Sequence, residues 1–378
     1  MDGITSKIKD ISYIGFADVL SKSIASIFWF YIASILPPSY YGEISYVFSI
    51  AGISSALSLL GSSNTVSIYV AKKIPIESTL YFLTLVAGII SSIVLFLIFF
   101  DIGLSLLNIT LLIFSLVIAE FLGNQLYKTY AKIIIIQKIL LVIFAIAFYN
   151  IFGEEFIVPG IALSYLPFIF YILKTFSKVT INFSLLKKKS NFLVSNYALT
   201  LSSAFGGSLD KIIIAPLFGF AILGNYSLGL QFLVLVTLLP EVIRKYLIVQ
   251  ESQGYLNKKL KLLVVLSSII LAILGIFLGP SVMSYFFPKF IEAQDFIRIV
   301  SISVIPTTIM MIYHTKFLGM EQGKHVLITS LSRTISQIIF IIVLGSMYGV
   351  NGLAFALVFA STISAIYAIF VNKVFLKK

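Results

Sequence analysis

Long apolar runs alternate along the whole chain with short segments that are polar or contain proline or glycine. Each run is close to the ~20 residues that an α-helix needs to cross the hydrocarbon core of a bilayer. The pattern predicts twelve membrane spans, at residues 10–36, 42–64, 78–100, 103–124, 133–151, 156–174, 192–218, 222–243, 261–280, 293–315, 325–346 and 350–372. Because the first run is too long for a signal-peptide core, we interpret it as a retained first helix.

The composition indicates the same class of protein. Of 378 residues, 59% are hydrophobic and 11% are charged, and the mean hydropathy is +1.07. This apolar content exceeds what a soluble core and a wetted surface use, so we predict an all-α polytopic membrane protein. Cysteine is absent, which excludes Cys-based metal sites. There is no nucleotide-binding motif and no loop long enough to hold a catalytic domain, so we expect no metal, no cofactor and no enzymatic activity.

The basic residues predict the orientation of the spans. With the N-terminus inside, the predicted cytoplasmic segments hold 21 of the 27 Lys and Arg residues, whereas the outer loops hold only Lys289. Lys and Arg accumulate in cytoplasmic loops, so both termini are predicted to be cytoplasmic in a multi-pass protein of the cell membrane. The positive charges are dispersed over seven short segments rather than clustered, which argues against nucleic acid as a partner. Contact with anionic membrane lipids is expected at "LLKKK" (185–189).

The chain divides into two halves of six spans each. We predict an N-terminal bundle at residues 1–176, a cytoplasmic linker at 177–190 and a C-terminal bundle at 191–378. At an offset of 182 residues, "IASILPPSYYGEIS" (32–45) lies over "IAPLFGFAILGNYS" (214–227), which pairs Gly42 with Gly224. Because each half has an even number of spans, the repeats would share one orientation, with a cavity between them near the midplane.

Two segments resemble a known family. "GSLDKIIIAPLFGFAILGNYSLGLQFLVLVTLLPEVI" (207–243) is similar to the seventh and eighth helices of polysaccharide (O-antigen type) flippases, and residues 32–61 resemble the first two helices. The resemblance implies the multidrug/oligosaccharidyl-lipid/polysaccharide exporter fold, in which two six-helix bundles form a V around a central cavity. It also implies a polyprenyl-(pyro)phosphate-linked oligosaccharide as substrate, flipped to the outer leaflet by alternating access. Glycan-assembly enzymes are then possible partners.

Charges at membrane depth are the candidate substrate-binding residues, because each costs roughly 2.5–3.5 kcal/mol on insertion. Asp18 and Lys22 are four residues apart and share a helix face. They either form a self-neutralising pair or hold the substrate phosphate. Asp210 and Lys211 are adjacent, so they point about 100° apart and each is expected to find a partner elsewhere. Either the pair forms an interhelical salt bridge that fixes the seventh helix, or at least Lys211 points into the cavity.

Three further charges belong to this set. Arg333 offers a planar fork that suits phosphate oxygens, or it reaches back to the cytoplasmic interface. Arg298 lies near the outer end of the tenth span, where an interfacial position is the alternative. Glu120 lies near the cytoplasmic end of the fourth span, where it is either wetted or paired. His314 either relays protons or is an interfacial residue beside Lys316.

Other functions remain open at this point. A cation-coupled drug or small-molecule antiporter of the same fold would depend on its carboxylates rather than on its bases. A membrane-embedded glycosyltransferase or ligase would need a larger outer loop than residues 281–292 provide. A non-transporting scaffold for glycan assembly is a third alternative.

Overall fold

The computed structural model describes residues 2–176, 181–252, 257–320 and 322–374. Within these ranges the chain is helical and contains no β-strand. The α-helices are α1 Asp2–Ile35, α2 Pro38–Ser58, α3 Ser62–Ala71, α4 Glu77–Phe99, α5 Ile102–Gly123, α6 Tyr127–Phe152, α7 Ile157–Leu163, α8 Ile169–Phe176, α9 Phe183–Phe218, α10 Phe220–Ser252, α11 Lys258–Phe286, α12 Ile291–Val300, α13 Val304–Gly319 and α14 Gly323–Val374. Residues 177–180 of the predicted linker lie outside the described residues.

The helices confirm the predicted fold class. In the described part of the chain, ten helical segments are long and apolar enough to cross a membrane, and the bent pair of α2 and α3 makes an eleventh. The longest segment, α14, has 52 residues and holds two of the predicted spans. Each of the twelve predicted spans therefore has a helical counterpart, and the chain is a multi-pass membrane protein.

Two glycines break the regular helices. Gly61 adopts a φ of 76° between α2 and α3, whose axes bend by 50°. Gly349 adopts a φ of 56° and divides α14 where the sequence predicts the turn between the last two spans. Residues with a Cβ rarely adopt a φ in this left-handed region, so glycine permits both breaks.

By contact, the chain forms two compact units. The first consists of Met1–Phe28 with Val47–Ser208, and the second of Trp29–Tyr46 with Leu209–Lys378. The division into residues 1–176, 177–190 and 191–378 follows the sequence repeat and stays a prediction about the two halves of the chain.

Each unit has its own apolar core. In the first unit, buried side chains of α3, α4 and α5 meet, among them Val66, Leu80 and Leu116. In the second unit, Phe317 of α13 packs against Ala368 and Val371 near the end of α14. The second of these cores joins α13 and α14, the helices that carry His314 and Arg333.

The second unit also contains the repeated glycines. The backbone of Gly42 on α2 packs against the carbonyl of Phe220, and the backbone of Gly224 on α10 packs against the carbonyl of Pro38. The offset of 182 residues relates Pro38 to Phe220 as it relates Gly42 to Gly224. The two contacts are therefore equivalent under the repeat.

Candidate functional site

A buried carboxylate lies at the centre of a hydrogen-bond network in the second unit. Asp210 on α9 is only 7% exposed. The hydroxyl of Tyr226 on α10 donates to its Oδ2 atom at 2.5 Å, and Nε2 of Gln337 on α14 donates to the same atom at 3.3 Å. The backbone N–H of Lys211 donates to Oδ1 at 2.8 Å. Three helices thus satisfy a carboxylate that would be costly to bury alone.

The position of Lys211 corrects one expectation from the sequence. Its Nζ atom lies 3.9 Å from Oδ1 of Asp210, although adjacent helical residues were expected to point apart. The long lysine stem bends back far enough to reach the limit of an ion pair, but not to form a direct hydrogen bond. The interhelical partners of Asp210 are Tyr226 and Gln337, rather than the cation of a salt bridge. The Lys211 side chain is 19% exposed.

Arg333 belongs to the same cluster. It precedes Gln337 by four residues on α14, so the two side chains share a face of that helix. The guanidinium group is partly buried and interacts electrostatically with Asp210 and Tyr226. The structure therefore brings together three of the predicted residues: Asp210, Lys211 and Arg333.

The cluster continues through α10 and α13. Arg244 on α10 forms a bidentate ion pair with Glu241, with N···O distances of 3.0 and 2.5 Å. His314 on α13 interacts electrostatically with both Arg333 and Arg244. Its Nε2 atom is buried and has no hydrogen-bond partner among the described residues. We refer to the following residues as the polar cluster: Asp210, Lys211, Tyr226, Glu241, Arg244, His314, Arg333 and Gln337.

The first unit holds three other predicted residues. Asp18 on α1 accepts a hydrogen bond from the hydroxyl of Tyr130 on α6 at 3.1 Å. Lys22, one turn further along α1, is exposed. Glu120 on α5 accepts a hydrogen bond from the hydroxyl of Tyr81 on α4 at 2.7 Å. Both carboxylates are thus held by a tyrosine from another helix.

Arg298 has a different environment. It pairs with Asp295, three residues earlier on α12, at 3.3 Å, and the two side chains are 57% and 60% exposed. Exposed pairs of this kind contribute little to stability. The interfacial position and the substrate-binding role of Arg298 both stay predictions.

The sequence did not indicate the partners of Asp210 and of the basic residues. Tyr226 lies in "GNYSLG" and Gln337 in "RTISQ", and neither stretch carries a spacing that points to Asp210. The only local signal is a polar residue inside an apolar span, which recurs at many positions. Arg244 was assigned by its charge to a cytoplasmic segment, and it lies on α10 beyond the apolar stretch Phe220–Leu238.

The fold is shared with solved membrane transport proteins. "Lipid II flippase MurJ, inward closed conformation" matches 95% of this chain and 87% of its own, with 15% identity and a TM-score of 0.75. An inward-facing multidrug resistance MATE family transporter of the MOP superfamily matches 93% of each chain, with 14% identity and a TM-score of 0.69. A mutant of the Vibrio cholerae MATE transporter VcmN matches 99% of this chain and 98% of its own, with 12% identity and a TM-score of 0.60.

No protein-family model and no curated protein sequence matches the chain. At 12–15% identity, the structural likenesses establish the fold alone. The chain therefore has the polytopic fold that MurJ and the MATE transporters of the MOP superfamily share.

Proposed function

We propose that this protein is a flippase for a polyprenyl-(pyro)phosphate-linked oligosaccharide. It moves the lipid from the cytoplasmic to the outer leaflet of the cell membrane by alternating access. The flipped oligosaccharide is then used for glycan assembly at the cell surface. The observation that carries the proposal is the polar cluster, which places Lys211 and Arg333 beside a single buried carboxylate, Asp210, on membrane-spanning helices. The fold that the chain shares with a lipid II flippase supports it.

The charge of the polar cluster suits an anionic ligand. Two basic residues, Lys211 and Arg333, lie beside one carboxylate, Asp210, within candidate membrane spans. Arg244 pairs with Glu241 beyond the span on α10. The excess positive charge would be costly in a membrane unless it served a purpose. A phosphate would form charge-assisted hydrogen bonds there, and these are stronger in low dielectric than in water. The prenyl chain would stay in the lipid.

Reconstitution into liposomes tests the function. The parent protein and the variants Lys211→Ala and Arg333→Ala are incorporated with a labelled polyprenyl-diphosphate glycan, and flipping is followed with a membrane-impermeant quencher. We expect the parent to flip the lipid and each variant to be slower by about tenfold or more, because a charged hydrogen bond contributes ~1.5–3 kcal/mol. Lys324→Ala, which removes an exposed charge from α14, is the matched control and should flip like the parent.

The two parts of the proposal fail in different ways. If the parent flips and both variants match it, the function stands and the phosphate site is wrong. If the parent does not flip the lipid, the function itself is wrong.

A cation-coupled antiporter is the second candidate, and a specific observation favours it. Asp18 and Asp210 are each oriented by a tyrosine hydroxyl from another helix, and carboxylate oxygens of this kind are ligands that hard cations prefer. This function predicts that Asp18→Asn, Glu120→Gln and Asp210→Asn impair transport more than Lys211→Ala and Arg333→Ala. The flippase predicts that Lys211→Ala and Arg333→Ala impair transport more than the three carboxylate variants do. One panel of variants therefore separates the two candidates.

A further inference from the structure

His314 is a titratable side chain that the proposed phosphate site does not use. It lies on α13, and its buried Nε2 atom has no hydrogen-bond partner among the described residues. Two cations interact with it electrostatically, Arg333 from α14 and Arg244 from α10. A buried polar atom without a partner costs free energy, so its presence beside two guanidinium groups calls for an explanation.

The charges around His314 depend on whether an anion is bound. Arg244 and Arg333 lie on α10 and α14, the two helices that pack most extensively against α13, and like charges brought together there repel one another. Asp210 and Glu241 already neutralise part of the two guanidinium charges. Among the described residues of the helices that pack against α13, the charges that act on His314 are those of Arg333 and Arg244. A bound phosphate would reverse this balance, because its negative charge attracts a proton to the imidazole.

We propose that His314 is a proton-binding site linked to the anionic ligand of the polar cluster, an inference that rests on the proposed function. When the phosphate enters, the neutral imidazole takes up one proton from cytoplasmic water. The imidazolium then donates from both ring nitrogens, which gives the buried Nε2 atom a partner in a phosphate oxygen. When the phosphate leaves, the proton returns to water. Affinity for the anion therefore rises as the pH falls, since two linked ligands increase each other's binding by the same factor.

Calorimetry of the purified full chain tests this linkage. Binding of geranyl pyrophosphate is measured near pH 7 in two buffers with different enthalpies of ionisation, which reports the protons taken up per ligand bound. We expect the parent to take up close to one proton per ligand bound. Its Kd should fall by up to about tenfold for each unit by which the pH is lowered. In His314→Gln, the ligand still binds, the extra proton uptake is lost and the Kd depends less on pH. Protonation of the pyrophosphate itself contributes equally to both proteins and cancels in the comparison.

The chain supplies a matched control, because His325 is its only other histidine. His325→Gln should take up as many protons as the parent. If the parent binds geranyl pyrophosphate and His314→Gln takes up the same number of protons as the parent, the linkage is wrong and the proposed function is untouched. If the parent binds neither geranyl pyrophosphate nor a longer polyprenyl diphosphate, the proposed function is wrong and the linkage falls with it.

Discussion

Gly42 and Gly224 lie at positions related by the 182-residue offset, and each packs against the start of the other's helix. Gly42 contacts the carbonyl of Phe220, and Gly224 contacts the carbonyl of Pro38. Gly42 also approaches the backbone amide of Gly224 itself. The 182-residue offset, at which four letters of the two stretches are identical, therefore also relates two reciprocal backbone contacts in three dimensions.

We expect Gly42→Ala and Gly224→Ala each to destabilise the protein. The added Cβ would collide with a backbone carbonyl, which cannot move aside as a flexible side chain would. Overpacking of this kind costs ~1–3 kcal/mol, and thermal unfolding in detergent measures it. Gly207→Ala on α9 is the control, because a Cβ there meets open space and alanine is the better helix former. Equal stability of all three variants would contradict the reciprocal contact.

Tyr226→Phe is expected to lower the free energy of unfolding by ~1–3 kcal/mol, because Asp210 loses a hydrogen-bond donor that water cannot replace in a buried position. The ring packing against Phe296, at a centroid distance of 5.4 Å, is kept. Chemical or thermal unfolding measures the change. Tyr285→Phe, at a residue that is 81% exposed, should stay within about 0.5 kcal/mol of the parent. Similar losses in both variants would show that the Asp210 network contributes nothing specific.

Arg333→Lys separates the charge of Arg333 from its shape. Lysine keeps the positive charge but not the planar fork that binds two phosphate oxygens at once. We expect flipping of a polyprenyl-diphosphate glycan in liposomes to be slower than in the parent and faster than in Arg333→Ala. Lys324→Arg, at an exposed position of the same helix, should leave the rate unchanged. Parent-like flipping by Arg333→Lys would mean that a point charge is sufficient.

The orientation of the chain can be tested directly, because the protein has no cysteine. Lys188→Cys lies in a predicted cytoplasmic segment and Glu155→Cys in a predicted outer loop, and both side chains are exposed. An impermeant maleimide added to intact cells should label only Glu155→Cys, and Lys188→Cys should react after the cells are opened. Labelling of Lys188→Cys in intact cells would contradict the cytoplasmic linker and the two cytoplasmic termini.

The sequence by itself determined the class of fold and the places of the apolar helices along the chain. Hydrophobic length is a local property, so helices appear wherever about 20 apolar residues follow one another. Helix ends also follow from local chemistry. Gly349 adopts a positive φ that breaks α14, and the Asp101 carboxylate caps α5 by accepting a hydrogen bond from the backbone N–H of Leu104 at 3.0 Å. The offset that pairs Gly42 with Gly224 is also visible in the letters alone, although the division into two repeated halves stays a prediction.

Only the tertiary structure decided which charged residues meet. Periodicity places Asp210 and Lys211 on one helix, but it does not show that Tyr226 and Gln337 arrive from two other helices to hold the carboxylate. It also left Arg298 among the candidates, although that residue pairs with its neighbour Asp295 on an exposed face. Hydrogen bonds between helices depend on packing that brings residues more than 100 positions apart in the chain into contact, as between Asp210 and Gln337. No local pattern of apolar and polar residues carries that information.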